Sequence, residues 1–211
     1  MSANKKPALK GTKPGQTHVT GPGHLSAEAF AKWYRDQSVR QWKALDLKAV
    51  AEVAKIVEAA QREGRTIYVI GNGGSAATAS HVATDLSKTA ARPGRSPVKC
   101  VALTDNAAYI TAIGNDLSFD DIFSRQLENL LEPWDVVIII SGSGNSKNLI
   151  KAAQYANARG AVTVGLLGFD GGALKPLVKA ALLVASDQYG VIEDMHLAIN
   201  HILTFYLKQR K

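Results

Sequence analysis

The sequence predicts an α/β fold, a doubly wound five-stranded parallel sheet preceded by added N-terminal helices. Three observations predict it. Five short apolar runs alternate with segments of helical periodicity. Those runs are continuous rather than alternately apolar and polar, as strands covered on both faces are. Two of them open into loops rich in Gly, Ser and Asn, each followed by a helical stretch. These loops are Gly71-Asn72-Gly73-Gly74-Ser75 and Ser141-Gly142-Ser143-Gly144-Asn145-Ser146.

The elements follow in order. Residues 1–25 hold Lys5, Lys6, Lys10 and Lys13, no acidic residue, and much Gly, Pro and Thr, which reads as a flexible basic tail. Residues 26–211 read as a single domain. Ser26 is an N-cap for a helical region reaching Glu63, whose apolar positions Phe30, Trp33, Tyr34, Leu45, Leu47, Val50, Val53, Ile56 and Val57 recur at mostly helical spacing. Gly64 ends it, and a break near Leu45-Asp46 divides it in two. Trp33, Tyr34 and Trp42 read as packing or subunit-interface residues. Strands are expected near 66–70, 98–103, 136–140, 161–167 and 181–185. Helices are expected near 75–90, 106–115, 120–131, 146–159 and 190–208.

A chain of 211 residues, 46% hydrophobic and 20% charged, has an ordinary globular composition and buries a proper core. The net charge of +7 invites a nucleic-acid partner, but residues 1–25 supply four of those charges. No stripe of Arg and Lys interleaved with aromatics follows, so nucleic acid is disfavoured. Cys100 has no second cysteine to pair with and reads as a core thiol. No apolar run approaches the ~20 residues that span a bilayer, which argues against a membrane segment. The N-terminus lacks an apolar signal region, so a cytoplasmic location is expected.

Each Gly/Ser loop presents backbone N–H groups and hydroxyls at a helix N-terminus, whose partial positive charge favours an anion. Neither is a Walker A loop. The first matches Gly71-x-Gly73-x-x-Ala76, a loose dinucleotide fingerprint, but Ala90 to Cys100 lacks the acidic residue that would hold a ribose. The pair points instead to one ligand with a phosphate and several hydroxyls. In a sheet of order 2-1-3-4-5 the loops after the first and third strands are neighbours at the switch point, where such ligands bind.

His81 and Asp85 lie four apart on the helix after the first loop and share a face. Glu193 and His201 lie eight apart on the last helix, close enough in angle to line a common cleft. His196 should point elsewhere. Two histidines and two carboxylates suit a divalent metal or acid–base chemistry, though such groups on helices are most often solvated or paired.

Together with Gly114-Asn115-Asp116 and Asp121-Ile122-Phe123-Ser124, these motifs resemble the phosphoheptose isomerase family of sugar isomerase (SIS) domains. The resemblance runs from about Leu45 to the C-terminus. It implies an aldose–ketose isomerase acting on sedoheptulose 7-phosphate through an enediol, and a homotetramer with active sites built between subunits. It implies substrate binding by Asn72, Gly73, Gly74, Ser75, Asp85, Asn115, Asp116, Ser141, Gly142, Ser143, Ser146 and Glu193. The implied base is Asp85, with His201 as the catalytic histidine, and Glu193 on the same cleft is the alternative catalytic carboxylate. The implied ligands for zinc or another divalent metal are His81, Asp85, Glu193 and His201, with no organic cofactor. The chain departs from the family pattern at Asp85 (usually Glu), Glu193 (usually Gln) and Gly142 (usually Thr). Two other readings stay open, a non-catalytic SIS protein that binds a protein partner and a sugar-phosphate sensor. Retention of Asp85, Glu193 and His201 together favours the enzyme.

Overall fold

The computed structural model describes residues 21–210. Residues 1–20, with the four lysines of the expected tail, lie outside that range. Helices α1 (Ala27–Ala44) and α2 (Leu47–Glu63) form the N-terminal segment. Ser26 caps α1 by accepting from the Ala29 N–H. The expected break falls at Leu45 and Asp46, where the Asp46 carboxylate accepts from Lys48 and Ala49 N–H and starts α2. Gly64 ends α2 with φ of 66°, a left-handed conformation that glycine adopts without Cβ strain.

Strands β1 (Thr66–Gly71), β2 (Lys99–Ala102), β3 (Val136–Ser141), β4 (Val162–Gly168) and β5 (Ala180–Val184) form one sheet in the order β2-β1-β3-β4-β5. All pairs are parallel. The intervening helices are α3 (Gly74–Thr84), α4 (Ala107–Asp116), α5 (Ser124–Leu130), α6 (Lys147–Ala158) and α7 (Tyr189–Gln209).

The continuous apolar runs divide by side-chain parity between two cores. Ile67, Val69, Val136, Ile138 and Ile140 pack on one face with residues of α2, α3 and α7. Tyr68, Ile70, Val137 and Ile139 pack on the other with residues of α5 and α6. Each fully buried Leu or Ile contributes about 1.5–3 kcal/mol, so neither face can be left bare. Cys100, on the edge strand β2, is only half-buried, and burial still pushes its thiol up to about 12.

Two helices differ from expectation. The single helix expected over 75–90 becomes α-helical to Thr84 and then makes a π-helical turn over Asp85–Thr89, closed by the Ala90 N–H on the Asp85 carbonyl. The helix expected over 120–131 is a 3-10 turn, Phe119–Asp121, followed by α5. Helix α1 has no buried residue in the single chain.

Candidate active site

Because β1 and β3 are adjacent, the two Gly/Ser loops meet at the carboxyl edge of the sheet. They line a cleft of about 180 Å³ with Asn72, Ser75, Ser141, Gly142, Ser143 and Ser146, closed on one side by Tyr189 and Glu193 of α7. The loops are tied together. Asn72 Nδ2 donates to Asn148 Oδ1 at 3.0 Å, and Asn148 Nδ2 donates back to Asn72 Oδ1 at 2.9 Å.

The second loop is braced from within and from behind. Gly144 N–H donates to Ser141 Oγ at 3.0 Å, and Asn145 N–H donates to Ser143 Oγ at 3.2 Å. Behind it, Gly168 N–H donates to the Gly142 carbonyl and Leu174 N–H to the Gly144 carbonyl, both at 3.0 Å. Ser75 and Ser146 stand at the openings of α3 and α6, and their hydroxyls have no partner among the described residues. Free hydroxyls beside helix N-termini form a cradle for a phosphate.

Two glycines of the loops leave room for side chains of α7. A Cβ on Gly74 would lie 2.5 Å from Glu193 Oε1, so the carboxylate rests against the first turn of α3. A Cβ on Gly142 would lie 2.7 Å from Tyr189 Cε1. The hydroxyl missing at Gly142 is thus replaced in space by an aromatic ring, itself packed edge-on against Phe169 at 5.1 Å. Burial, reinforced by neighbouring Asp194, raises the Glu193 pKa from its ordinary value. Asp194 in turn accepts from the Tyr34 hydroxyl at 2.7 Å, which ties α1 to α7.

A second cluster lies farther along α7. Asp85 Oδ2 is 3.4 Å from His81 Nε2 and 3.7 Å from His201 Nε2, and the two imidazole nitrogens are 3.4 Å apart. Zinc bonds of 2.0–2.1 Å in a tetrahedron place ligand atoms about 3.3 Å from one another. The three atoms therefore suit three corners around a zinc or similar divalent ion, with a fourth corner open.

Glu193 is not in this cluster, contrary to the expectation of a four-residue set. Its helical angle is compatible with His201, but eight residues of helix rise about 12 Å. The carboxylate accordingly lines the loop cleft instead. Asn115 and Asp116, at the end of α4, do not line that cleft either, and the Asn115 amide donates to Asp116 Oδ1 at 2.8 Å. His196 points into the core, fully buried, as its spacing from His201 predicts.

The sequence reading missed Tyr189 and Asn148. An aromatic four residues before Glu193, and an amide two residues after Ser146, were the available signals for them.

The SIS domain model matches residues 32–168. A probable phosphoheptose isomerase of Thermoplasma acidophilum is 38% identical over 180 residues, covering 85% of this chain and 98% of its own. A phosphoheptose isomerase of Rhodospirillum rubrum is 41% identical, covering 74% and 82%. Among solved structures, the phosphoheptose isomerase of Neisseria gonorrhoeae superposes with a TM-score of 0.81 at 28% identity, covering 88% of this chain and all of its own.

Proposed function

The chain belongs to the SIS domain family, and on that footing we propose that it is a phosphosugar isomerase that interconverts sedoheptulose 7-phosphate and the corresponding aldose, heptose 7-phosphate, through an enediol. One observation carries the reading. The single helix α7 sets Glu193 on the wall of a phosphate cradle and, two turns on, His201 beside Asp85 and His81. A phosphate-gripping end and an acid–base end are thereby held on one rigid element.

In this proposal Ser75, Ser141, Ser143 and Ser146, with the N–H groups of Gly73, Gly74 and Gly142, hold the phosphate, and Asn72 and Glu193 take sugar hydroxyls. Asp85 removes a proton from C1 of the ketose, and the C–H electron pair becomes the C1=C2 bond. The O2 carbonyl oxygen takes a proton from His201. In the second half His201 takes a proton back from the O1 hydroxyl, the C1 carbonyl forms, and the C1=C2 electron pair takes up the proton held by Asp85 at C2. Positioned acid–base groups of this kind contribute about 10²–10⁴-fold. His81, Asp85 and His201 would hold a zinc or similar ion, which when bound supplies Lewis-acid polarisation of a sugar oxygen.

The same proposal includes a homotetramer whose clefts are completed between subunits. Three features support it. Helix α1 exposes Phe30 at 42%, Val39 at 43% and Trp42 at 46%. Leu117 and Phe119, just after α4, are exposed at 60% and 59%. Asn115 and Asp116 stand outside their own chain's cleft and would serve a neighbour's. A cytoplasmic location follows from the substrate class, because phosphorylated sugars are charged and do not cross membranes unaided. Among the described residues no helix is long and apolar enough to cross a membrane.

The test is turnover. The protein is incubated with a panel of ketose phosphates and the aldose product is followed by NMR. Asp85→Asn, which keeps the size but removes the basic oxygen, should lower kcat by ~10²-fold or more with the fold intact. A wild type that converts no ketose phosphate would refute the reading.

A further inference from the structure

Helix α7 buries three polar side chains in a row at helical spacing, His196, Asn200 and Thr204, among Val191, Ile192, Met195, Ile199, Leu203 and Leu207. Asn200 is 1% exposed. An amide is retained in such a place only when its hydrogen-bonding groups are used. Both are. Asn200 Nδ2 donates to Asp85 Oδ2 at 2.9 Å, and its Oδ1 accepts from the Thr204 hydroxyl at 3.4 Å. The Asp85 carboxylate only accepts, so the amide nitrogen is the atom turned to it, and the Thr204 hydroxyl, able to donate or accept, donates to the oxygen on the other side. The other carboxylate oxygen is held from within Asp85's own π-helical turn, since Thr89 Oγ1 donates to Asp85 Oδ1 at 3.1 Å.

We propose that Asn200 is a positioning residue for Asp85, the group that fixes where the carboxylate points in the isomerisation. The inference rests on Asp85 being the base. Asp85 opens the π-helical turn, and its short side chain faces two imidazoles at 3.4 and 3.7 Å. Thr89 holds only Oδ1, which leaves Oδ2 able to swing toward either ring. The buried amide removes that freedom and holds Oδ2 between the two histidine nitrogens. A displacement of about 1 Å in a reacting group lowers rates by ~10²-fold, which gives the arrangement its catalytic weight.

The experiment is a double-mutant cycle on the full chain with the ketose phosphate that the wild type turns over. Asn200→Leu keeps the volume and removes the donor. We expect kcat to fall ~10–100-fold, KM to stay within about twofold, and thermal unfolding to remain cooperative. In the Asp85→Asn background the same substitution should lower kcat no further, because the group it aims is already gone. Asn200→Ala carries the cycle if the leucine variant does not fold. Unchanged kcat in Asn200→Leu, or the same fold-loss in both backgrounds, overturns the proposal and leaves the isomerase reading standing. A wild type inactive on every ketose phosphate overturns both.

Discussion

Acid should weaken this fold through His196 in particular. The ring is fully buried on α7, and neither nitrogen has a hydrogen-bond partner among the described residues. Burial pulls its pKa down to about 4, the larger effect, while the Leu167 backbone beside the ring pulls it the other way. In the unfolded chain the ring returns to about 6.5. Between these values the unfolded chain takes up a proton that the folded chain refuses, so stability falls as pH falls. The contribution is fully present above about pH 6.5 and is lost as the pH drops to about 4. The whole shift corresponds to about 3 kcal/mol, of which between about 2 and 3 kcal/mol is gone at pH 4.5. Urea denaturation at pH 7.5 and 4.5 measures it, with His196→Leu as the reference, because other groups also titrate over this range. The leucine variant, similar in volume and without buried unpaired nitrogens, should lose that much less stability on acidification. Equal losses in the two proteins would show that the buried ring does not carry the acid sensitivity.

Three further outcomes follow from the site. Ser146→Ala should lower affinity for a phosphorylated sugar ~10–100-fold at an unchanged melting temperature, because its hydroxyl makes no hydrogen bond among the described residues; equal affinity by calorimetry would remove it from the cradle. Gly142→Thr should destabilise the protein by about 1–3 kcal/mol by driving Cβ into the Tyr189 ring, and adding Tyr189→Ala should relieve the clash; denaturation curves of the single and double variants decide this. His81→Ala should lose at least ~10-fold in affinity for zinc by equilibrium dialysis, since it deletes one of three ligand corners; equal zinc binding by both proteins would place any ion elsewhere.

The sheet was legible because its central strands β1, β3 and β4 are nearly continuous apolar runs, the pattern of parallel strands covered on both faces. The break at Asp46 and the stop at Gly64 were legible because caps act within a turn of where they stand in the sequence. The two loops were legible as neighbours once the strand order was assumed. What escaped depends on partners far away in the chain. The π-helical turn at Asp85 has no local signal, and α7 packs against it from more than a hundred residues on. Glu193 and His201 were joined by angle, with the rise along the axis left out of account. The fit of Gly142 to Tyr189 and the clasp of Asn200 on Asp85 are complementarities across 47 and 115 residues, which composition and periodicity do not encode.

The paired amides of Asn72 and Asn148 make the two loops a single body, so lifting one drags the other. A socket built that way does not reshape itself around what enters. If the proposed function holds, it would grip the phosphate of any sugar alike, leaving the length and stereochemistry of the carbon chain to be judged at the far end, near the histidines. Other phosphorylated metabolites, and inorganic phosphate itself, would then compete for the same seat whatever skeleton they carry.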